Sequence, residues 1–224
     1  MIENGMFSDK AILFLLHYRH MKEKRSQYSM PVGEEGDEVM RSMNEHHRIL
    51  TEWGLSKVSE DRPSRILDVG CGGGGGLRAA HELWPISSLT GVDISSDAIA
   101  FCRREHTDLV RGGMALMGAS ATDLPFDDET FDLVMSFESF FFWDDVESGI
   151  MEMARVTQHG GSVLICSEAY PHPDFMERNE ENARLHGFTL RSPEELIAMA
   201  PKGFIASKYL IEEKNWMAIV LRKL

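Results

Sequence analysis

The chain has 224 residues, of which 43% are hydrophobic and 26% are charged, a composition typical of one globular domain. Its 23 Lys and Arg against 36 Asp and Glu leave a net charge of −13. Such an acidic surface repels nucleic-acid phosphates, and the sequence contains no local basic stripe, so we expect no nucleic-acid partner. The apolar run at 11–16 is far shorter than the ~20 residues that span a membrane, and no export signal is expected. Three widely separated cysteines indicate reduced thiols in a cytoplasmic protein: Cys71, Cys102 and Cys166.

The N-terminal part of the chain predicts helices. Ser8 begins a predicted helix that runs to about residue 24, and a polar, glycine-containing break follows at 29–36. A second helix is predicted over 37–53, ending at Gly54 as its C-terminal glycine. We expect residues 1–60 to form a helical lid on a core of residues 61–224.

From residue 61 onward, strands and helices alternate. Predicted strands cover 65–70, 88–92, 114–118, 131–137 and 162–167. Helices are predicted between them over 74–83, 96–110 (with Ser95 as N-cap) and 144–157. This alternation is typical of parallel βαβ units in a doubly wound, Rossmann-like α/β sheet.

The C-terminal part breaks the alternation. A helix beginning near Ser192 is followed by two predicted strands, 205–211 and 215–222, joined by three polar residues. Three residues cannot hold a crossover helix, so these strands must be antiparallel neighbours. The sequence therefore predicts a seven-stranded sheet, mostly parallel, that ends in an antiparallel hairpin.

The stretch LDVGCGGGGG at 67–76 is a glycine-rich turn between a buried strand and a helix. Free backbone N–H groups at such a helix start indicate an anion or nucleotide site. Asp93 ends the second strand, where a carboxylate accepts the hydroxyls of a ribose, and Ile94 offers an apolar face to an adenine. The acid at Asp68 would repel a pyrophosphate but complement a cationic ligand.

In these residues the chain resembles the class I S-adenosylmethionine-dependent methyltransferases. The stretch LPFDDETFDLV at 124–134 is typical of their small-molecule branch, near the ubiquinone and menaquinone methyltransferases. The first motif of the family, D/E-x-G-x-G-x-G, matches four residues: Asp68, Gly70, Gly72 and Gly74. The resemblance runs from about residue 65 to the last residue of the chain. It implies S-adenosylmethionine as cofactor and transfer of its methyl group to a small molecule by in-line displacement.

The resemblance also implies which residues bind this cofactor. Asp68 and the backbone at Gly70 would hold its methionine part, and Asp93 its ribose. The family commonly has Gly-Asp-Ala before xxLPF, whereas this chain has GASA at 118–121, so an uncharged serine stands at the adenine position. The expected cofactor-binding residues are Asp68, Gly70, Gly72, Gly74, Asp93, Ile94, Ser120, Ala121 and Ser136.

The acceptor molecule is expected at the carboxyl ends of the strands, in the loops after strands four and five. Glu138 lies between Phe137 and an aromatic run, where a carboxylate is costly to bury without a partner. We therefore predict that Glu138 faces the acceptor and binds or deprotonates its polar end. Phe142 and Trp143, in the same loop, indicate an apolar or aromatic acceptor.

The second predicted helix contains further polar candidates. His46 and His47 are adjacent and should point about 100° apart on a helix, so that only one can face a given ligand. Asn44 and His47 share a face, where Asn44 would contact the acceptor and His47 would be an alternative base. The sequence has no His, Cys and carboxylate set with metal-ligand spacing, and we expect no metal.

Two other functions fit part of this pattern. One is a protein that binds S-adenosylmethionine or another nucleoside without catalysing a reaction. The other is an NAD-type oxidoreductase, against which Asp68 and the terminal hairpin argue. The identity of the acceptor, the atom that is methylated, and the choice between monomer and homodimer stay open at this stage.

Overall fold

Seven strands in the described part of the chain, residues 27–58 and 62–224 of this computed structural model, form one sheet. The strands are β1 (Arg65–Val69), β2 (Ser88–Asp93), β3 (Ala115–Gly118), β4 (Phe131–Phe137), β5 (Thr157–Ser167), β6 (Phe204–Ile211) and β7 (Trp216–Lys223). Their order is β3-β2-β1-β4-β5-β7-β6, and the first five pair in parallel. β7 is antiparallel to both β5 and β6. The predicted doubly wound sheet with a terminal hairpin is confirmed.

Helices lie between and beside these strands. They are α1 (Gly33–His46), α2 (Arg48–Leu55), α3 (Gly75–Leu83), α4 (Ser96–Glu105), α5 (Thr107–Arg111), α6 (Val146–Val156), α7 (Met176–His186) and α8 (Pro193–Ala198). The hydroxyl of Ser95 accepts the N–H of Ala98 at 3.2 Å and caps α4 as expected. The predicted helix at 8–24 lies outside the described residues.

The prediction of one helix over 37–53 that ends at Gly54 is wrong. The helical segment begins earlier, at Gly33, and is divided into α1 and α2 at His47, whose φ of −85° and ψ of 0° depart from helical values. Gly54 lies inside α2. A Cβ at this position would lie 2.9 Å from the sulfur of Cys166, so the glycine permits close packing of α2 on β5 rather than ending a helix.

Alternating residues of the central strands fill two cores, one on each face of the sheet. The core on one face joins strand residues to α2, α3 and α4, whose buried side chains include Leu50, Leu77 and Cys102. The core on the other face joins the alternate strand residues to α6 and α8, through Ile150, Met153 and Leu196. The sheet is therefore covered on both faces, as in other doubly wound folds. In the part of the chain that the structure describes, no helix combines the length and apolar character needed to cross a bilayer.

Candidate functional site

The glycine-rich turn joins β1 to α3 in a left-handed backbone. Gly70, Gly72 and Gly74 have φ values of +73°, +48° and +81°, a region that side chains rarely adopt. A Cβ at Gly70 would collide with the side chain of Ser139, whereas none of the described atoms lies within 4 Å of the corresponding position at Gly72. The turn therefore exposes bare backbone to an open space at Gly72.

Asp68 lies beneath this turn with only 2% of its surface exposed. Its Oδ1 atom has no hydrogen-bond partner among the described residues. Its Oδ2 atom approaches Gly76 so closely that a Cβ there would be 2.6 Å away. Burial, together with the negative charge of Asp93, raises the pKa of Asp68 to about 8. A buried carboxyl oxygen without a hydrogen-bond partner favours binding of a ligand that brings a hydrogen-bond donor or a cation to it.

Asp93 closes the other side of the turn. Its Oδ2 accepts the N–H of Gly72 at 2.9 Å, and its Oδ1 accepts the N–H of Ser95 at 2.8 Å. Burial raises the pKa of Asp93, although these two backbone donors oppose the effect. Each carboxylate oxygen has a further lone pair for a ligand hydroxyl.

A cavity of about 530 Å³ lies above the turn and contains most of the predicted site residues. The predicted cofactor residues that line it are Asp68, Gly70, Gly72, Asp93, Ile94, Ser120 and Ala121. The predicted acceptor-side residues that line it are Asn44, His47, Glu138, Phe142 and Trp143. One cavity thus joins the two halves of the predicted site, large enough for a small ligand beside a nucleoside.

Two predicted cofactor residues do not line this cavity. The Cα of Gly74 faces α4, because a Cβ there would meet Cys102 and His106 at 2.5 and 2.6 Å. Ser136 is fully buried within β4, and its hydroxyl has no partner among the described residues. Both residues support the turn and the sheet behind the cavity, and their contact with a cofactor stays a prediction.

Asn44 contacts the turn itself, since its Nδ2 donates to the carbonyl oxygen of Gly73 at 2.9 Å.

The aromatic residues after β4 lie partly in the core and partly at the cavity wall. Phe140 is buried in the core, whereas Phe142 and Trp143 line the cavity. The indole Nε1 of Trp143 donates to the hydroxyl of Ser139 at 3.1 Å and fixes the ring there. Which of these side chains touch an acceptor stays a prediction.

Glu138 follows β4 at the cavity wall in a left-handed conformation, with φ +49°. Its Oε1 accepts the backbone N–H of Glu168 at 2.5 Å. Burial and the charge of Glu168 raise the pKa of Glu138 to about 7, against the opposing charge of His47. Such a carboxyl exchanges its proton near neutral pH, which is the property required of a general base or acid.

Glu168 is a residue that the sequence reasoning missed. It directly follows β5, as Glu138 follows β4, and that position at the carboxyl edge of the sheet was the available signal. Its carboxylate oxygens lie 3.3 Å from Nε2 of His46 and 3.5 Å from Nε2 of His47. The expectation that the two histidines cannot face one partner is therefore wrong. The break between α1 and α2 turns both imidazoles toward Glu168.

The histidines and Glu168 perturb one another's titration. Burial lowers the pKa of His47, but the hydrogen bond to Glu168 and the charges of Glu138 and Glu168 outweigh it, so the pKa is raised. Burial raises the pKa of Glu168, but its bond to His47 and the charges of both histidines hold the pKa below the usual value. Positive charge is therefore favoured between these side chains.

Comparison with known proteins identifies a methyltransferase domain within the chain. A family described as "Methyltransferase domain" matches residues 67–165, the segment from the glycine turn into β5. This match supports a class I S-adenosylmethionine-dependent methyltransferase. A chain in the complex of the Haloferax volcanii Trm112 methyltransferase activator with a methyltransferase has the same fold, with a TM-score of 0.66 and 20% identity. The match covers 86% of this chain and 99% of that one.

Two curated relatives of the chain are named as methyltransferases. The chain is 38% identical over 113 residues to the fatty-acid O-methyltransferase of Mycolicibacterium smegmatis, covering 50% of this chain and 40% of that protein. It is 28% identical over 185 residues to the phthiotriol/phenolphthiotriol dimycocerosates methyltransferase of Mycobacterium tuberculosis, covering 80% of this chain and 59% of that protein. The chain thus spans about two fifths to three fifths of the length of these relatives.

Proposed function

We propose that this methyltransferase transfers the methyl group of S-adenosylmethionine to a small, largely apolar acceptor that carries one polar group. The observation that carries the proposal is the single cavity that joins Asp68, the glycine turn and Asp93 to Glu138 and its aromatic neighbours. The names of the relatives support an apolar acceptor, because both describe methyltransferases of lipids. We propose an acceptor oxygen, as in the fatty-acid O-methyltransferase.

Two observations support S-adenosylmethionine as the ligand of this cavity. The unpartnered Oδ1 of Asp68 suits the ammonium or a water molecule beside it, and the open space over Gly72 leaves room for a ligand against the backbone. Asp93 would accept the ribose hydroxyls, and Ile94 would pack on the adenine. Ser120 is the expected adenine contact, although its hydroxyl already bonds Thr122 at 2.9 Å.

When bound, the sulfonium of S-adenosylmethionine supplies an activated methyl group for in-line displacement by a lone pair of the acceptor. The protein must then align the acceptor and exclude water. Glu138 is proposed to hold the acceptor's polar group through its carboxylate, which the backbone N–H of Glu168 fixes at the cavity wall. With its pKa near 7, Glu138 can also take the proton of an acceptor hydroxyl. His47 is the alternative base, and Asn44, Phe142 and Trp143 would border the acceptor.

The predicted lid and location also stand as proposals. Helices α1 and α2 border the cavity, which supports a covering role for residues 1–60 over a core of residues 61–224. The three cysteines are free and buried, which supports a cytoplasmic location. The net charge of −13 supports a small-molecule acceptor rather than a nucleic acid.

Replacement of Glu138 tests this function. Glu138→Gln keeps the shape of the side chain and removes its charge, so turnover should fall by about tenfold or more while the affinity for S-adenosylmethionine is nearly unchanged. Turnover is measured as transfer of labelled methyl to a panel of fatty acids, lipid alcohols and phenols. The matched control is Glu129→Gln, which changes an exposed glutamate that also has a positive φ, +56°.

Three outcomes are informative. Undiminished turnover in Glu138→Gln would make this residue structural and transfer the proposed base role to His47. Tight binding of S-adenosylmethionine without turnover on any acceptor class would favour a cofactor-binding protein that does not catalyse methyl transfer. An equal loss in the control would show that the substitution acts through the backbone conformation rather than through the cavity.

A further inference from the structure

Three side chains beside the cavity converge although they come from distant parts of the chain. His46 and His47 lie at the break between α1 and α2, and Glu168 follows β5, 122 residues after His46. Each of the three side chains offers one ligand atom: an imidazole nitrogen from each histidine and a carboxylate oxygen from Glu168. These three atoms all lie within 4.8 Å of one another. Two imidazoles and one carboxylate form a donor set that binds late first-row divalent metals such as zinc.

Two of the three separations of these atoms are close to those between metal ligands. Donor atoms bound at 2.0–2.1 Å with tetrahedral angles lie about 3.3 Å apart. The Nε2 atoms of His46 and His47 lie 3.3 and 3.5 Å from the oxygens of Glu168. A cation can therefore enter between them with small side-chain movements.

The surroundings hold the carboxylate ligand in place. The backbone N–H of Glu168 donates to Oε1 of Glu138 at 2.5 Å, and Arg178 donates to the carbonyl oxygen of Glu168 at 3.3 Å. Arg178 thus contacts the backbone of Glu168 and leaves its carboxylate facing the histidines.

We propose that His46, His47 and Glu168 form a binding site for one divalent metal ion of the zinc class at the edge of the cavity. Three protein ligands leave a fourth tetrahedral position for water or another oxygen ligand. His47 lines the cavity, so the ion borders the space assigned to the acceptor. If methyl transfer is as proposed, an anionic oxygen of the acceptor is a suitable fourth ligand. The metal site itself does not depend on that function.

Titration of the whole, EDTA-stripped protein with Co²⁺ tests this site, because the absorption of Co²⁺ reports nitrogen and oxygen coordination in a zinc-type site. Wild type should bind one Co²⁺ that Zn²⁺ displaces, and His46→Ala and Glu168→Gln should each weaken this binding by at least about tenfold. The matched control is His159→Ala, which removes a histidine from another pair, 3.1 Å from Glu129.

The outcomes separate the metal site from both misfolding and the proposed function. His46 is 65% exposed and does not line the cavity, so His46→Ala should keep the affinity for S-adenosylmethionine while losing the metal. Zn²⁺ should raise the melting temperature of wild type but not that of Glu168→Gln. Equal Co²⁺ affinity in wild type and both variants, or an equal loss in His159→Ala, would overturn the proposal. Neither result bears on cofactor binding or turnover.

Discussion

The fold changes the protonation of Asp68 strongly. Burial and the charge of Asp93 raise its pKa to about 8, so the folded protein favours its neutral form. The stabilisation from this protonated carboxyl is complete below the unfolded-state pKa, near 4, and is lost as the pH rises to about 8. Over that range deprotonation lowers the free energy of the unfolded chain more than that of the folded protein.

Asp68→Asn tests this behaviour through the pH dependence of stability. The amide cannot ionise, so the free energy of unfolding should decline less between about pH 5 and pH 8 than in wild type. The free energy of unfolding of wild type should fall relative to that of Asp68→Asn by about 1.4 kcal/mol for each pH unit over which Asp68 is protonated in the folded protein and ionised in the unfolded chain. Urea unfolding of the cofactor-free proteins measures it. Parallel pH profiles of the two proteins would contradict a buried, protonated Asp68.

The residue scale is also where sequence reasoning failed most often. Glu138 and His47 both line the cavity; they were predicted because a carboxylate among aromatic side chains is costly to bury and because a histidine can take a proton near neutral pH. Glu168 was missed because its position after β5 marks only the edge of the sheet, whereas its partners His46 and His47 lie more than 100 positions earlier in the chain. Gly54 was misassigned because a glycine needed for close packing looks, in sequence, like one that ends a helix.

At the scale of elements, the turn between β1 and α3 determines how closely a ligand can approach the backbone. Its left-handed glycines leave the backbone bare, and Gly72 faces open space above the turn. A valine there would fill that space and carry backbone strain of about 1–3 kcal/mol. The same substitution at a left-handed glycine outside the cavity would cause the backbone strain without blocking a ligand, so it separates the two effects.

Gly72→Val should therefore weaken S-adenosylmethionine binding by at least about a hundredfold. Gly187→Val is the matched control: Gly187 ends α7 with φ +72°, and none of the described atoms lies within 4 Å of its Cβ position. Both variants should lose similar thermal stability, but only Gly72→Val should lose the ligand in calorimetric titration. Normal binding by a folded Gly72→Val would mean that the ligand does not approach the turn.

At the scale of the whole molecule, the sheet was predictable because each strand has a local signature. Buried runs such as 65–69 and 131–137 are followed by a glycine or an acid, and the four polar residues between β6 and β7 are too few for a crossover, so the two strands must be antiparallel. The cavity could be predicted in outline, since the carboxyl ends of parallel strands meet at one edge. The break between α1 and α2 could not be predicted from the sequence, because it depends on how the two helices pack on the sheet and on α4.

The cavity between Asp68 and Asp93 is proposed to bind S-adenosylmethionine, and this is tested by calorimetric titration with S-adenosylmethionine and, separately, with NAD. Wild type and the control Asp127→Ala, an exposed loop variant, should bind one S-adenosylmethionine per chain and no NAD. A folded Asp93→Ala should bind it more than tenfold more weakly, because charge-assisted bonds to two ribose hydroxyls contribute about 1.5–3 kcal/mol. Preference for NAD, or an unchanged Kd in Asp93→Ala, would contradict the claim.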